Sequence, residues 1–246
     1  MSGAPPTYIG FAEYVAHVPR GIPAAVQRAA SQLLSKRATR VAETPEWEQL
    51  RQIASDMRLH TLEHLDIYLE RLEAQATAAG VKVHWARDAA EARVVVLDIA
   101  RRHHVTSAVK SKSMATEEIG LNQALEDAGI EAIETDLGEY IVQLAGQRPV
   151  HIVTPAIHMS AADVGHLFAE KLGEPYSEEH RSLTDIARRH LREEYLQAGM
   201  GISGCNFAVA DTGTMVVVEN EGNAGLSTAT PPLHVALIGI EKMLPR

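Results

Sequence analysis

Apolar positions in the first third of the chain recur at helical spacing. Trp47, Leu50, Ile53, Met57, Leu65, Tyr68 and Leu72 follow one another at steps of three, four or their multiples, which predicts an amphipathic helical stretch. Thr44, Pro45 and Glu46 open it with a capping Thr, Pro at the first helical position and an acid near the positive end of the dipole. A weaker helical pattern runs over 23–41, and together these predict an N-terminal helical arm over residues 1–80.

After Gly80 short apolar runs alternate with helical patterns. Strands are expected at 81–85, 107–109, 130–133, 151–153, 215–218 and 234–240, and helices at 89–103, 116–128, 138–144, 161–172 and 183–197. That alternation predicts an α/β domain over 81–246, with a mostly parallel sheet flanked by helices. Ligands of such sheets bind beyond the C-terminal ends of the strands. Four polar clusters fall at those ends: Lys110 to Ser113, Glu134 to Asp136, Thr154 with His158, and Glu219 to Gly222. Their convergence on one rim is the expected site.

Composition narrows the function. Lys and Arg total 23 against 32 Asp and Glu, a net charge of −9, so no broad basic surface is available for a nucleic-acid backbone. The N-terminus has neither a basic start nor an apolar run, and no window approaches the roughly 20 apolar residues of a membrane span. A cytoplasmic protein is expected, with no nucleic-acid partner and no membrane span. Cys205 is the single cysteine, so it forms no internal disulfide and cannot hold an iron–sulfur cluster, which takes about four thiolates.

Candidate chemistry concentrates in two places. Lys110 and Lys112 follow an apolar run, with Thr116 next as a helix cap, and could hold an anion; alternatively Glu117 and Glu118 pair with the lysines. Glu134, Asp136 and Glu139 are candidates for polar positioning, and His158 stands at another strand end. Further on, Gly201, Gly204, Asn206, Asp211, Gly213, Glu219, Glu221 and Gly222 crowd around one expected strand, a density that fits a backbone turning sharply or approaching a ligand. Residues 201–206 are expected to form a close-approach loop. His60 to His64 spells a zinc-peptidase motif but fits a charged helix flank better, with no third ligand indicated. Asp211-Thr212-Gly213 matches the aspartic-protease loop, yet occurs once in an α/β pattern, where shaping a turn suits it better. No metal site is expected.

Five blocks occur in order: 109–119 around Lys110 and Lys112, 133–141 around Glu134 and Glu139, 151–158, 201–208 and 220–223. Together they resemble the lactate utilization protein B family, the iron–sulfur subunit of a three-protein L-lactate oxidising system, whose first half is the LUD domain. The resemblance implies a fold similar to the NagB, ribose-5-phosphate isomerase and CoA-transferase group. It further implies electron transfer during conversion of L-lactate to pyruvate, with sister subunits as partners and a small carboxylate, lactate or pyruvate, as ligand. Two [4Fe-4S] clusters are implied for the full-length family protein, in a ferredoxin-like half whose cysteine runs this sequence lacks. No cofactor is expected in this chain, which is expected to be a fragment, and no catalytic residue is assigned. Two alternatives stand beside this reading. One is a stand-alone enzyme using Glu219 or Glu221 on an acyl or phosphorylated small molecule; the other is a structural assembly module whose helical arm packs on partners.

Overall fold

The described residues open with three helices, α1 (Gly21–Ala42), α2 (Trp47–Glu63) and α3 (Leu65–Ala78). The computed structural model describes residues 21–147 and 154–246, so the strand expected over 151–153 lies outside the described residues. The long apolar stripe divides at His64, where the helix breaks. On α3 it is core: Leu72 is buried with Ala208, Ala210 and Met243, and Leu65, Tyr68 and Leu69 pack around them. On α2 it faces outward, with Leu50 54% and Ile53 50% exposed.

The strand expected at 81–85 does not form. Gly80 (φ 91) ends α3, the Val81 N–H turns back onto the Ala76 carbonyl at 2.9 Å, and Trp85 ties itself to Glu73 at 3.0 Å. An alternating apolar run makes a strand only when a neighbouring strand takes up its backbone groups, and here none does.

Helix α4 (Ala89–Arg102), capped by Asp88, leads into β1 (Ser107–Lys110). Short helices α5 (Met114–Glu118) and α6 (Leu121–Asp127) follow where one helix over 116–128 was expected; Gly120 at φ 63 separates them. Strand β2 (Glu131–Glu134) and helices α7 (Leu137–Leu144), α8 (Ala161–Leu172) and α9 (His180–Gln197) complete the expected pattern. Next come β3 (Met200–Ser203), β4 (Phe207–Val209), β5 (Thr214–Val216), α10 (Asn223–Ala229), β6 (His234–Ala236) and β7 (Met243–Leu244).

The main sheet is parallel, in the order β2-β1-β3-β6. Strand alternation sends Val109 and Ile133 to a face covered by α7, α8 and α9, where Phe168, Ile186, Leu191 and Tyr195 close the core. Ala108, Ala132, Met200 and Ile202 face the other way, against Val96 of α4 and Leu121 and Leu125 of α6. Both faces are therefore covered, as a parallel sheet requires.

Two strand assignments change. Residues 201–203 are not a loop but part of β3, a buried strand between β1 and β6. Gly201 is needed there because a Cβ would lie 1.7 Å from the Ser227 carbonyl oxygen of α10. The strand near 215–218 is β5, which pairs antiparallel with β4 in a separate sheet of order β5-β4-β7 and not with the parallel strands. Gly213 (φ 68) turns that hairpin, and a Cβ there would come within 2.6 Å of the Ala76 nitrogen, so α3 sits directly on the turn. Arg71 of α3 pairs with Asp211 at 2.6 Å, and the Asp-Thr-Gly stretch thus serves as a docking turn.

Gly201→Ala should lower stability by about 2–3 kcal/mol, because α10 or β3 must shift to admit the methyl group. Gly80→Ala, with open space but left-handed backbone, should cost about 1 kcal/mol. Denaturant midpoints check this, and equal losses would contradict the close approach of α10 to β3.

Candidate functional site

Lys110 ends β1 and Glu134 ends β2, directly opposite each other in the parallel register. Alternation puts both on the face of Ala108 and Ala132, under α6. Lys110 is only 1% exposed. An ammonium ion so placed must find opposite charge nearby. Its Nζ lies 2.7 Å from Glu134 Oε1 and 3.2 Å from Thr116 Oγ1, and also contacts the Glu117 carboxylate. Burial alone would push the Lys110 pKa down, but Glu134 and Glu117 outweigh it and the net shift is upward.

Asn122 of α6 donates to Glu134 Oε1 at 2.6 Å. Glu139, in the first turn of α7, is 7% exposed and faces Lys112, 25% exposed along its side chain, at 3.6 Å. Burial, then the charge and hydrogen bonding of Glu134, push Glu139 up to about 8 against the pull of Lys112 and Lys110. The second carboxyl oxygens of Glu134 and Glu139 and the amide oxygen of Asn122 are buried with no donor among the described residues.

A rim of polar groups surrounds this cluster. Asp136 caps α7 by accepting from the Gly138 and Glu139 N–H groups at 3.1 and 3.2 Å. Glu221 reaches from the loop before α10 to accept from the Leu137 N–H at 3.2 Å. Burial raises the Glu221 pKa, with Asp136 adding to the shift and Leu137 and Lys112 opposing it. Glu219 accepts from the Gly225 N–H at 3.0 Å, and Gly222 (φ 78) starts α10. Beyond β3, Gly204 lies where a Cβ would come 2.6 Å from Ser113 Oγ, so the loops after β1 and β3 pack together.

Lys110, Lys112, Thr116, Glu134, Asp136, Glu139 and Glu221 are therefore brought together at the C-terminal edge. Others go elsewhere. Asn206 accepts from the Val218 N–H at 2.7 Å and braces the small sheet, while Asp211 and Gly213 dock α3. His158 pairs with Gln147 at 2.7 Å, and among the described residues no hydrogen bond or ion pair joins it to the glutamates. Thr116 is not the helix cap: Ser113 is, and Thr116 is buried behind it as a partner of Lys110. Asn122 was missed because an amide in a polar helix carries no signal of its own. Ser203 and His234, 2.8 Å apart at the ends of β3 and β6, were missed because β3 itself was not recognised.

The profile of the LUD domain family matches residues 69–246. The chain belongs to the LUD domain family. It is 45% identical over 222 residues to lactate utilization protein B of Bacillus pumilus (strain SAFR-032), covering 90% of this chain and 47% of that protein. It is 41% identical over 221 residues to lactate utilization protein B of Bacillus cereus (strain AH820) and of Bacillus thuringiensis (strain Al Hakam), with the same coverage. The chain thus spans about half the length of the curated relatives it matches. No solved structure matches it. Among the described residues no helix is long and apolar enough to cross a membrane.

Cys205 is the single thiol of the chain, and burial pushes that thiol up to about 11, away from the thiolate form that binds iron.

The raised Glu139 has a pH signature. Folded, it keeps a proton that the unfolded chain gives up at an ordinary carboxyl pKa of 4.5. Stability should therefore fall as pH rises from about 4.5 to about 8, by about 1.4 kcal/mol per pH unit for one proton. Above that window the contribution is fully lost and the curve levels. Urea unfolding across this range should show the slope in the wild type and its loss in Glu139→Gln; identical slopes would mean Glu139 ionises normally.

Proposed function

We propose that this chain is the LUD portion of a lactate utilization system and takes part in oxidising L-lactate to pyruvate, its edge cluster binding a small carboxylate. The observation that carries the reading is the 41–45% identity, over 90% of the chain, to proteins named lactate utilization protein B. The buried lysine–glutamate cluster at the strand ends supports a polar ligand there, since that edge is where parallel sheets place ligands. Lys112, partly exposed beside Glu139, is the candidate contact for a carboxylate group in this reading.

Electron transfer in this reading falls to iron–sulfur clusters ligated by cysteines other than Cys205. The LUD domain contributes ligand binding and subunit docking. Outward-facing Leu50, Ile53 and Leu62 on α2 support docking of a sister subunit, because apolar rows of this kind are commonly covered in assemblies.

Deleting the coding sequence from an organism that carries this chain should abolish growth on L-lactate as sole carbon source and leave growth on pyruvate intact, with growth on lactate restored by the wild-type gene. Unimpaired growth of the deletion strain on lactate would overturn the assignment.

A further inference from the structure

Three oxygens at the sheet edge have no protein partner. One oxygen of each buried glutamate is accounted for: Glu134 Oε1 meets Lys110 and Asn122, and Glu139 Oε1 faces Lys112. The Oε2 atoms of both and the Asn122 amide oxygen are buried with no donor among the described residues. These atoms are neighbours. Glu134 and Glu139 stand within hydrogen-bonding reach of each other. The Asn122 amide nitrogen is fixed on Glu134 Oε1 at 2.6 Å, which holds the amide oxygen beside the same carboxylate. Turning that amide over would set its oxygen against a carboxylate oxygen, so charge fixes its orientation.

Buried acceptors left unpaired are costly, and two carboxylates in contact in a dry place need positive charge between them. Lys110 does not meet that need alone, since Glu117, Glu134 and Thr116 share its ammonium group. The wider charge balance points the same way. Glu117, Glu134, Asp136, Glu139 and Glu221 bring five carboxyl groups to the edge around Lys110 and Lys112. Fully ionised, these seven groups carry three more negative charges than positive ones. A proton shared by Glu134 and Glu139 removes one of the three, whereas a divalent cation offsets two.

We propose that Glu134 Oε2, Glu139 Oε2 and Asn122 Oδ1 bind a hard divalent cation, Mg2+ or Mn2+. Carboxylate and amide oxygens are the ligands such ions take, and Mg2+ is commonly held by one or two carboxylates while water and substrate oxygens fill the remaining positions. Among the described residues no three His, Cys, Asp or Glu side chains group as a metal site; the Asn122 amide is the third protein ligand, and further positions are left for water or ligand oxygens. Lys110 and Asn122 hold Glu134 by its other oxygen, which orients it as outer partners orient metal ligands. The sequence gave no sign of this site because its carboxylates stand on β2 and α7 and its third ligand is an amide on α6. The site goes beyond the carboxylate reading of the edge and does not depend on it. It also bears on that reading, since an excess of negative charge repels lactate or pyruvate and a bound divalent ion inverts the local charge.

Titration of the purified, chelator-treated chain with MgCl2 and MnCl2 tests the proposal, followed by calorimetry and by loss of the paramagnetic resonance signal of free Mn2+. One ion should bind per chain and raise the melting temperature. Glu139→Gln and Asn122→Leu should each weaken binding by about tenfold or more, with circular dichroism spectra like that of the wild type. Glu174→Gln, which removes a carboxylate paired with Arg189 and His190, should leave the affinity unchanged. No saturable binding to the wild type, or binding that survives in both site variants, would overturn the proposal. L-lactate is added only after the metal: saturable metal binding with no response to lactate upholds the cation site and counts against the carboxylate reading, so the two can fail separately.

Discussion

Lys110 places a full positive charge where water does not reach it, and the C-terminal edge of the sheet is arranged to meet that charge. The parallel register sets Glu134 directly across the strand pair, and the turn after β1 brings Glu117 back from the first turn of α5. Removing any one of these partners would leave an uncompensated buried charge, a penalty of several kcal/mol and far larger than that of losing a surface ion pair. The sequence alone offered Lys110 either as an anion contact or as a partner of Glu117 and Glu118; the pairing forms with Glu117, and burial makes Lys110 the structural centre of the edge.

That arrangement constrains everything built next to it. Once Glu134 is committed to Lys110 and Asn122, Glu139 is buried beside another carboxylate, and its pKa is pushed up to about 8. The rim groups Asp136 and Glu221 then hold α7 in position from its N-terminus, which keeps Glu139 against Glu134. Charge, helix capping and sheet register thus support one another, and the same few residues position the candidate site and stabilise the fold.

Much of this was legible in the sequence where local signals and tertiary structure agree. The helix at 161–172 matches α8 residue for residue because Ser160 and Asp163 form a complete capping box and Gly173 ends it in the left-handed region. The polar groups after β1 and β2 came together because strand ends in a parallel sheet share one edge. Other features depended on contacts that no local pattern announces. Gly201 looked like loop sequence, yet its missing side chain is what lets α10 lie across β3. Residues 81–85 alternate like a strand but have no strand beside them. The burial of Lys110 was hidden for the same reason, since pairing with Glu117 could be read locally but only the assembled sheet brings Glu134 of another strand to it.

A double-mutant cycle on the Lys110–Glu134 pair tests the central role of this buried charge most directly. Lys110→Met alone should cost about 3–5 kcal/mol, because it strands the glutamates. Adding Glu134→Gln should recover a large part of that loss, giving a coupling energy of about 2 kcal/mol or more. Additive losses, with coupling within about 0.5 kcal/mol, would mean that the edge is not organised around Lys110.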